Sequence, residues 1–215
     1  GDVLDLGVPS DATVTAAKLN NDIISGSTEL ASEPADTDEF LVSDAGTLKR
    51  IDYSLIKGGG ITEADMWRLT TTITGTNGDI TANLERVDDA SFAKIGTGVT
   101  PSSGIFSFPS TGLYLIGSMI SINFSNQADN NTNVIVKATI NNSDYDEISY
   151  IAAGSNSSSG NSRFSVFKQN YLNVTNTSNV KVKFTTGSME SGSSVVGDSN
   201  KNMTAFSFIR LGDSQ

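Results

Sequence analysis

Residues 113–124, LYLIGSMISINF, carry apolar side chains on both faces of what reads as one strand. Tyr114, Ile116, Ser118, Ile120, Ile122 and Phe124 share one parity. Leu113, Leu115, Gly117 and Met119 share the other, which turns polar at Ser121 and Asn123. Side chains alternate across a sheet, so a strand with one face in water needs only one apolar face. The first half of this strand has two. One packs into the chain's own core. The other needs a cover, either a loop of the same chain or another copy of it.

The rest of the chain reads as a series of short strands. MWRLTTTIT (66–74) alternates Trp67, Leu69 and Ile73 against Arg68 and threonines, and Asn77-Gly78 is a hairpin signal. ITANLERV and FAKI (92–95) follow, and GIFSF leads through Pro109 and Gly112 into the opening strand. VIVKATI (134–140) places Val134, Val136, Ala138 and Ile140 on one face, and ISYIA (148–152) is a compact apolar run. RFSVFKQNYLNV (163–174) shifts parity between Val166 and Phe167, which predicts a bulge. VKVKF (180–184) points Val180, Val182 and Phe184 inward. TAFSFIRL (204–211) sets Phe206 and Phe208 against Ile209 and Leu211. Strands cut by turn residues at regular intervals predict an all-β sandwich or barrel.

Composition changes near KGGGIT (57–62). Residues 1–62 hold eleven acidic and four basic residues of a chain whose net charge is −10. This segment has few aromatics, and glycines make its joint to 63–215 flexible. VTAAKLNNDII (14–24) reads as a short helix, DEFLVSD (38–44) as a strand, and LKRIDYSLI (48–56) spaces its apolar residues near a helical period. Such pieces are marginal alone. The segment is either an acidic linker or a set of elements that pack against copies of themselves.

Several classes are excluded or disfavoured. The chain has no cysteine and no histidine. Disulfides, Cys/His zinc sites and Cys or Ser–His nucleophiles are therefore absent. No basic run is present for phosphate binding, so a nucleic-acid partner is not expected. No apolar run approaches the ~20 residues of a membrane helix.

Phe106, Phe108, Pro109, Gly112 and Tyr114 form an aromatic strand followed by Pro-x-x-Gly-x-Tyr. With NVKVKF and the closing MTAFSFIRL, this pattern is similar to the C1q/TNF-like jelly roll over residues 63–215. Ser178-Asn179 stands where that family often has Gly-Asp. The resemblance implies a β-sandwich head forming a homotrimer about a tight three-fold axis. It assigns Phe106, Phe108, Leu113, Tyr114, Leu115, Met119, Phe206 and Phe208 to core and trimer interface. ASEPADTDEFLVSDAGTLKRIDYSLIK (31–57) resembles segments of tail-fibre and other appendage proteins of tailed bacteriophages. That implies an extended N-terminal stalk or attachment segment (1–62) on a virion surface appendage. Its partners would be other virion proteins, and the head would bind a host cell-surface glycan or protein. A capsid decoration or head-fibre protein, and a bacterial C1q-like surface adhesin, are the alternatives.

Asp144, Asp146 and Glu147, and Asp88-Asp89, raise the thought of glycoside hydrolysis by paired carboxylates. Strand-connecting turns rich in Asn and Asp account for them as well, and no enzyme motif is present. QADNNTN (127–133) offers oxygen donors for Ca2+ without the Asp-x-Asp-x-Asp-Gly spacing, so no cofactor is expected. Trp67 shares parity with Leu69 and Ile73 and reads as core. Recognition is expected on three long polar loops. The candidate residues are Asp129, Asn130 and Asn131 in the first, Asn156, Ser158 and Asn161 in the second, and Ser193 and Asp198 in the third. Met189, Val195 and Val196 make the third loop less polar, as if fixed to a neighbour.

Overall fold

The computed structural model describes residues 25–57 and 59–215; the helix expected at 14–24 lies outside them. The chain separates within KGGGIT into a unit ending at Gly58 and a second unit, Gly59–Gln215.

In the first unit, β1 (Glu39–Asp44) and β2 (Thr47–Asp52) form an antiparallel hairpin followed by the single turn α1 (Tyr53–Ile56). Residues 48–52 are thus strand rather than helix. Ala45 and Gly46 both adopt positive φ, 48° and 84°, the turn whose twist matches a hairpin and so directs the chain back along β1.

The second unit is a sandwich built from β3 (Ala64–Leu69), β4 (Ile73–Thr74), β5 (Gly78–Asp79), β6 (Leu84–Arg86), β7 (Thr100–Ser102), β8 (Ile105–Ser107), β9 (Gly112–Ser125), β10 (Asp129–Thr139), β11 (Asp146–Ser155), β12 (Asn161–Val174), β13 (Lys181–Gly187), β14 (Ser193–Val195) and β15 (Ala205–Gly212). One layer runs β12-β9-β15-β3-β6, with β14 and β4 continuing beside the far half of β9. The other runs β11-β10-β13-β8-β7, with β5 also on β13. The even-numbered face of β9 packs inward: Tyr114, Ile116, Ile120, Ile122 and Phe124 are buried. Val134, Val136, Val182, Phe184, Phe206 and Phe208 meet it from the other strands. Phe184 of one layer stacks on Phe206 of the other, with centroids 3.6 Å apart at 16°. Burial of each such ring stabilises the fold by about 1.5–3 kcal/mol.

Strand polarity fixes the ends of this sandwich. β3 and β9 both run antiparallel to β15, and Ala64 pairs with Ile209 while Leu113 pairs with Gly212. The chain therefore enters and leaves at one end. The connections 126–128, 156–160 and 188–192 all lie at the other.

Five local expectations are corrected. β12 pairs with β9 in continuous register from Asn161↔Ser125 to Val174↔Gly112, so there is no bulge at Val166–Phe167. The parity shift arises because β12 carries aromatic residues, Phe167 and Tyr171, among the polar ones of its outward face, and Phe167 points away from the core. Ile140 is 73% exposed, because β10 ends at Thr139, whose hydroxyl accepts the Asn141 N–H in a turn. FAKI is a loop with one isolated bridge, Ala64↔Ile95. Lys94 Nζ donates to the Gly96 and Thr97 carbonyls, and Glu63 accepts the Gly98 N–H, which folds the segment back on itself. MWRLTTTIT breaks between Leu69 and Ile73, where Thr72 and Gly197 exchange hydrogen bonds. The third expected loop contains β14, whose Ser193, Ser194 and Val195 are buried.

Candidate functional site

Two surfaces stand out on the second unit. The first is the outward face of β12, β9 and β15. Register places Asn173, Tyr171, Gln169 and Phe167 beside Leu113, Leu115, Gly117 and Met119, with Ile209, Ser207 and Ala205 beyond. None of these side chains carries a charge. Phe167 is 57% and Tyr171 70% exposed, whereas Leu113, Leu115, Met119 and Ile209 are partly buried. Small residues make a depression in this face. Gly117 lies under the Phe167 ring, and a Cβ there would fall 2.4 Å from Ser207 Oγ. The resulting hollow of about 160 Å3 is lined by Met66, Gly117, Met119, Phe167, Asn202, Ala205 and Ser207.

Of the residues assigned to core and interface, Leu113, Leu115 and Met119 lie on this outward face. Phe106, Phe108, Tyr114, Phe206 and Phe208 lie inside the sandwich. Tyr114 is 0% exposed, and its hydroxyl donates to the Ser110 carbonyl at 3.1 Å, locking the turn before β9. Burial pushes its phenol up. Sequence reasoning missed Phe167 and Tyr171 as surface residues. Their shared parity with Arg163 was the available signal.

The second surface is the loop end. Asn126 N–H donates to the Gly160 carbonyl, and Gly160 N–H returns to Asn126 Oδ1, both at 2.8 Å. Ser125 N–H donates to the Gly192 carbonyl, and Met189 N–H to Asn77 Oδ1. The three polar loops are thus tied into one surface. Ala128, Asp129, Asn130, Ser155, Asn156 and Glu190 line a crevice of about 220 Å3 within it. Asn130, Asn156, Ser158 and Asn161 are exposed there. Asn131 is partly buried, its side-chain oxygen accepting from Tyr150 Oη. Asp198 lies apart on the β14–β15 connection, its N–H on the Leu69 carbonyl.

Asp129 and Ser193 are interior rather than ligand-facing. The Asp129 carboxylate is 6% exposed and accepts from Ser193 Oγ, Thr132 Oγ1, Asn131 N–H and Glu190 N–H. Burial pushes this carboxyl up. The hydrogen bonds from Ser193, Thr132 and the two backbone groups outweigh that and hold it below its ordinary value. Its oxygens bridge these groups, so it clamps β10 to β14. Among the described residues, no group of three or more His, Cys, Asp or Glu is placed to hold a metal.

Of the other carboxylates singled out, Asp88, Asp89, Asp144 and Glu147 have structural partners. Arg68, 1% exposed, is gripped by Glu85, Asp88 and Asp89 at 2.7, 2.6 and 2.9 Å. This cage was not foreseen, because Arg68 falls on the outward parity of β3. Asp144 accepts from Asn141 Nδ2 at 2.7 Å in its turn, and Glu147 pairs with Lys137 at 3.3 Å. Trp67 packs edge-on against Phe106 with centroids 5.9 Å apart and donates to Asp65.

No family model and no curated protein matches this chain. Solved structures do. The Eiger TNF from S. frugiperda overlays at TM-score 0.52 and 12% identity, covering 73% of this chain and 96% of its own. Murine APRIL at pH 5.0 overlays at 0.50 and 12% identity, covering 69% and 98%. The PRD1 vertex protein P5 overlays at 0.41 with 19% identity, covering 72% and 100%, too loosely to add to the assignment. At these identities the likeness concerns the fold, which is the TNF-like jelly roll.

Proposed function

We propose that this chain is a non-enzymatic structural protein of a bacteriophage virion. It assembles as a homotrimer whose head displays three copies of the loop end to a host-surface polymer or protein. The observation that carries the assembly is the outward face of β12, β9 and β15. Its part alongside Leu113–Met119 carries no charged side chain, and it bears two exposed aromatic rings. There two copies can approach without bringing like charges together. Closed cyclic assembly is a common way to bury such a face.

The virion setting is supported by the resemblance of residues 31–57 to phage appendage segments. The host-binding role is supported by the loop end. Exposed Asn, Ser and backbone groups suit hydrogen bonding to polyhydroxyl ligands. Three weak sites held together gain avidity without new contacts.

Light scattering of the full chain at micromolar concentration tests the assembly. The expected mass is three times 22.6 kDa, and a stable single-chain mass refutes it. Binding of the same material to an array of bacterial surface polysaccharides and outer-membrane proteins tests recognition. Retention that weakens in an Asn130→Ala/Asn156→Ala variant is expected. Retention unchanged by that variant moves recognition away from the loop end.

A further inference from the structure

The crevice at the loop end has an aromatic neighbour. Tyr150 lies on β11, the edge strand of its layer. Its neighbour Ile151 is buried in the core, so Tyr150 faces outward, 42% exposed. Its hydroxyl is held twice: it accepts from Asn133 Nδ2 and donates to Asn131 Oδ1, both at 2.8 Å. Asn133 is 1% exposed, and its own Oδ1 has no donor among the described residues. An unpaired buried acceptor costs stability. What the arrangement secures is an exposed ring in one fixed orientation, and a group fixed beforehand loses little freedom on binding. Among the described residues, the cations that sit over rings are Arg86 on Trp67 and Lys183 on Tyr145, so no cation occupies the Tyr150 ring. Asn131 joins this ring to the crevice, because the adjacent Asn130 lines it with Ser155, Asn156 and Glu190. Two carboxylates, Asp129 and Glu190, and no cation contribute to that lining. Lys168 reaches Tyr150 from β12, but its ammonium donates to the Tyr150 carbonyl at 2.6 Å. Glu190 is exposed, and no ion pair among the described residues includes it.

We infer that the Tyr150 ring and this crevice form one site for an uncharged glycan. The inference rests on the reading that the loop end recognises the host. One sugar lays its C–H face on the phenol ring. Hydroxyls of the next sugar reach Asn130 and Asn156 and donate to the Glu190 carboxylate. The same carboxylate rejects polymers that carry uronate or phosphate, since like charges meet in a crevice with no cation to offset them. A polar crevice of about 220 Å3 fits sugar hydroxyls better than the large apolar anchor of a protein partner.

The test applies the full chain to immobilised neutral polymers (dextran, mannan, galactan and chitin oligosaccharides), to polygalacturonate and lipoteichoic acid, and to bacterial outer-membrane proteins. Retention on at least one neutral polymer, and on neither anionic one, is expected. Tyr150→Ala, with its fold checked by circular dichroism, should weaken that retention about tenfold or more. Tyr150→Phe keeps the ring and should weaken it less. Glu190→Lys should admit polygalacturonate, and a variant that still rejects it counts against the charge argument. Retention of the parent on the anionic polymers, or neutral retention that Tyr150→Ala leaves unchanged, overturns the glycan site while loop-end recognition stands. Retention on an outer-membrane protein alone, weakened by Asn130→Ala/Asn156→Ala, does the same. No retention on any of these surfaces overturns both.

Discussion

Replacing Asp129 by asparagine isolates the clamp between β10 and β14. The carboxylate accepts four hydrogen bonds in a nearly dry site. Asparagine keeps the shape, but one acceptor oxygen becomes an NH2 group that faces donors. Oδ1 accepts one of the four bonds and Oδ2 the other three, so at least one is lost, and with hydrogen bonds to a charged group worth about 1.5–3 kcal/mol each, Asp129→Asn should cost at least about 1.5–3 kcal/mol at neutral pH. For a unit of this size that corresponds to a fall in Tm of about 3–12 °C. The pH dependence follows from the direction of the shift. The native carboxyl lies below its ordinary value, so its stabilisation is fully present above the unfolded value near ~3.9 and is lost as pH falls through the lower native value. The gap between parent and variant should be constant above about pH 5 and close on further acidification. Thermal unfolding followed by circular dichroism, at matched protein concentration because assembly shifts Tm, reads both quantities. A neutral-pH difference below about 1 kcal/mol, or a gap that persists where the parent carboxyl is protonated, refutes the clamp.

Adjacent residues on β9 should fail differently. Tyr114→Asp buries an unpaired carboxylate in the core and should cost more than about 4 kcal/mol, giving unfolded or insoluble protein. Leu115→Asp should give a folded single chain by light scattering and circular dichroism; an intact trimer would remove Leu115 from the interface. Phe206→Ala deletes one ring of the interlayer stack and should lower stability by about 3–5 kcal/mol in denaturant unfolding. Gly104 sits at φ +78° with its absent Cβ only 2.0 Å from the Ile80 carbonyl oxygen. Gly104→Ala should therefore cost at least the ~1–3 kcal/mol of a strained backbone, read as a shift in denaturant midpoint.

The inward half of the sandwich was legible because period-two alternation is strong where one face is buried. Val180, Val182 and Phe184 were placed inward on that ground alone, whereas Phe206 and Phe208 were assigned to the core by resemblance, and alternation did not say which parity of β9 faces inward. Alternation fails where both faces are apolar, because parity then carries no sign. Phe167 next to Val166 was read as a slip in the strand when it is an aromatic residue on the outward face. Short strands in polar sequence were invisible for the opposite reason. Ser193-Ser194 has nothing apolar to alternate, and it becomes β14 because β9 and β4 supply backbone partners and Asp129 takes the Ser193 hydroxyl. The same pairing turned two candidate ligand residues, Asp129 and Ser193, into interior ones. Arg68 was equally hidden, since its three carboxylates come from 17 to 21 residues away and no local spacing announces a cage.

Both chain ends of the head leave from the same pole, where Asn173 Nδ2 donates to the Gln215 carbonyl. The 14-residue strand β9 runs from that pole to the loops, about 45 Å at the usual rise per residue. A fluorophore, immobilisation tag or fused enzyme placed behind Gln215 would therefore sit on the tether side. Such cargo leaves the opposite tip unobstructed, which makes the carboxy terminus the side from which to anchor this protein to a sensor surface.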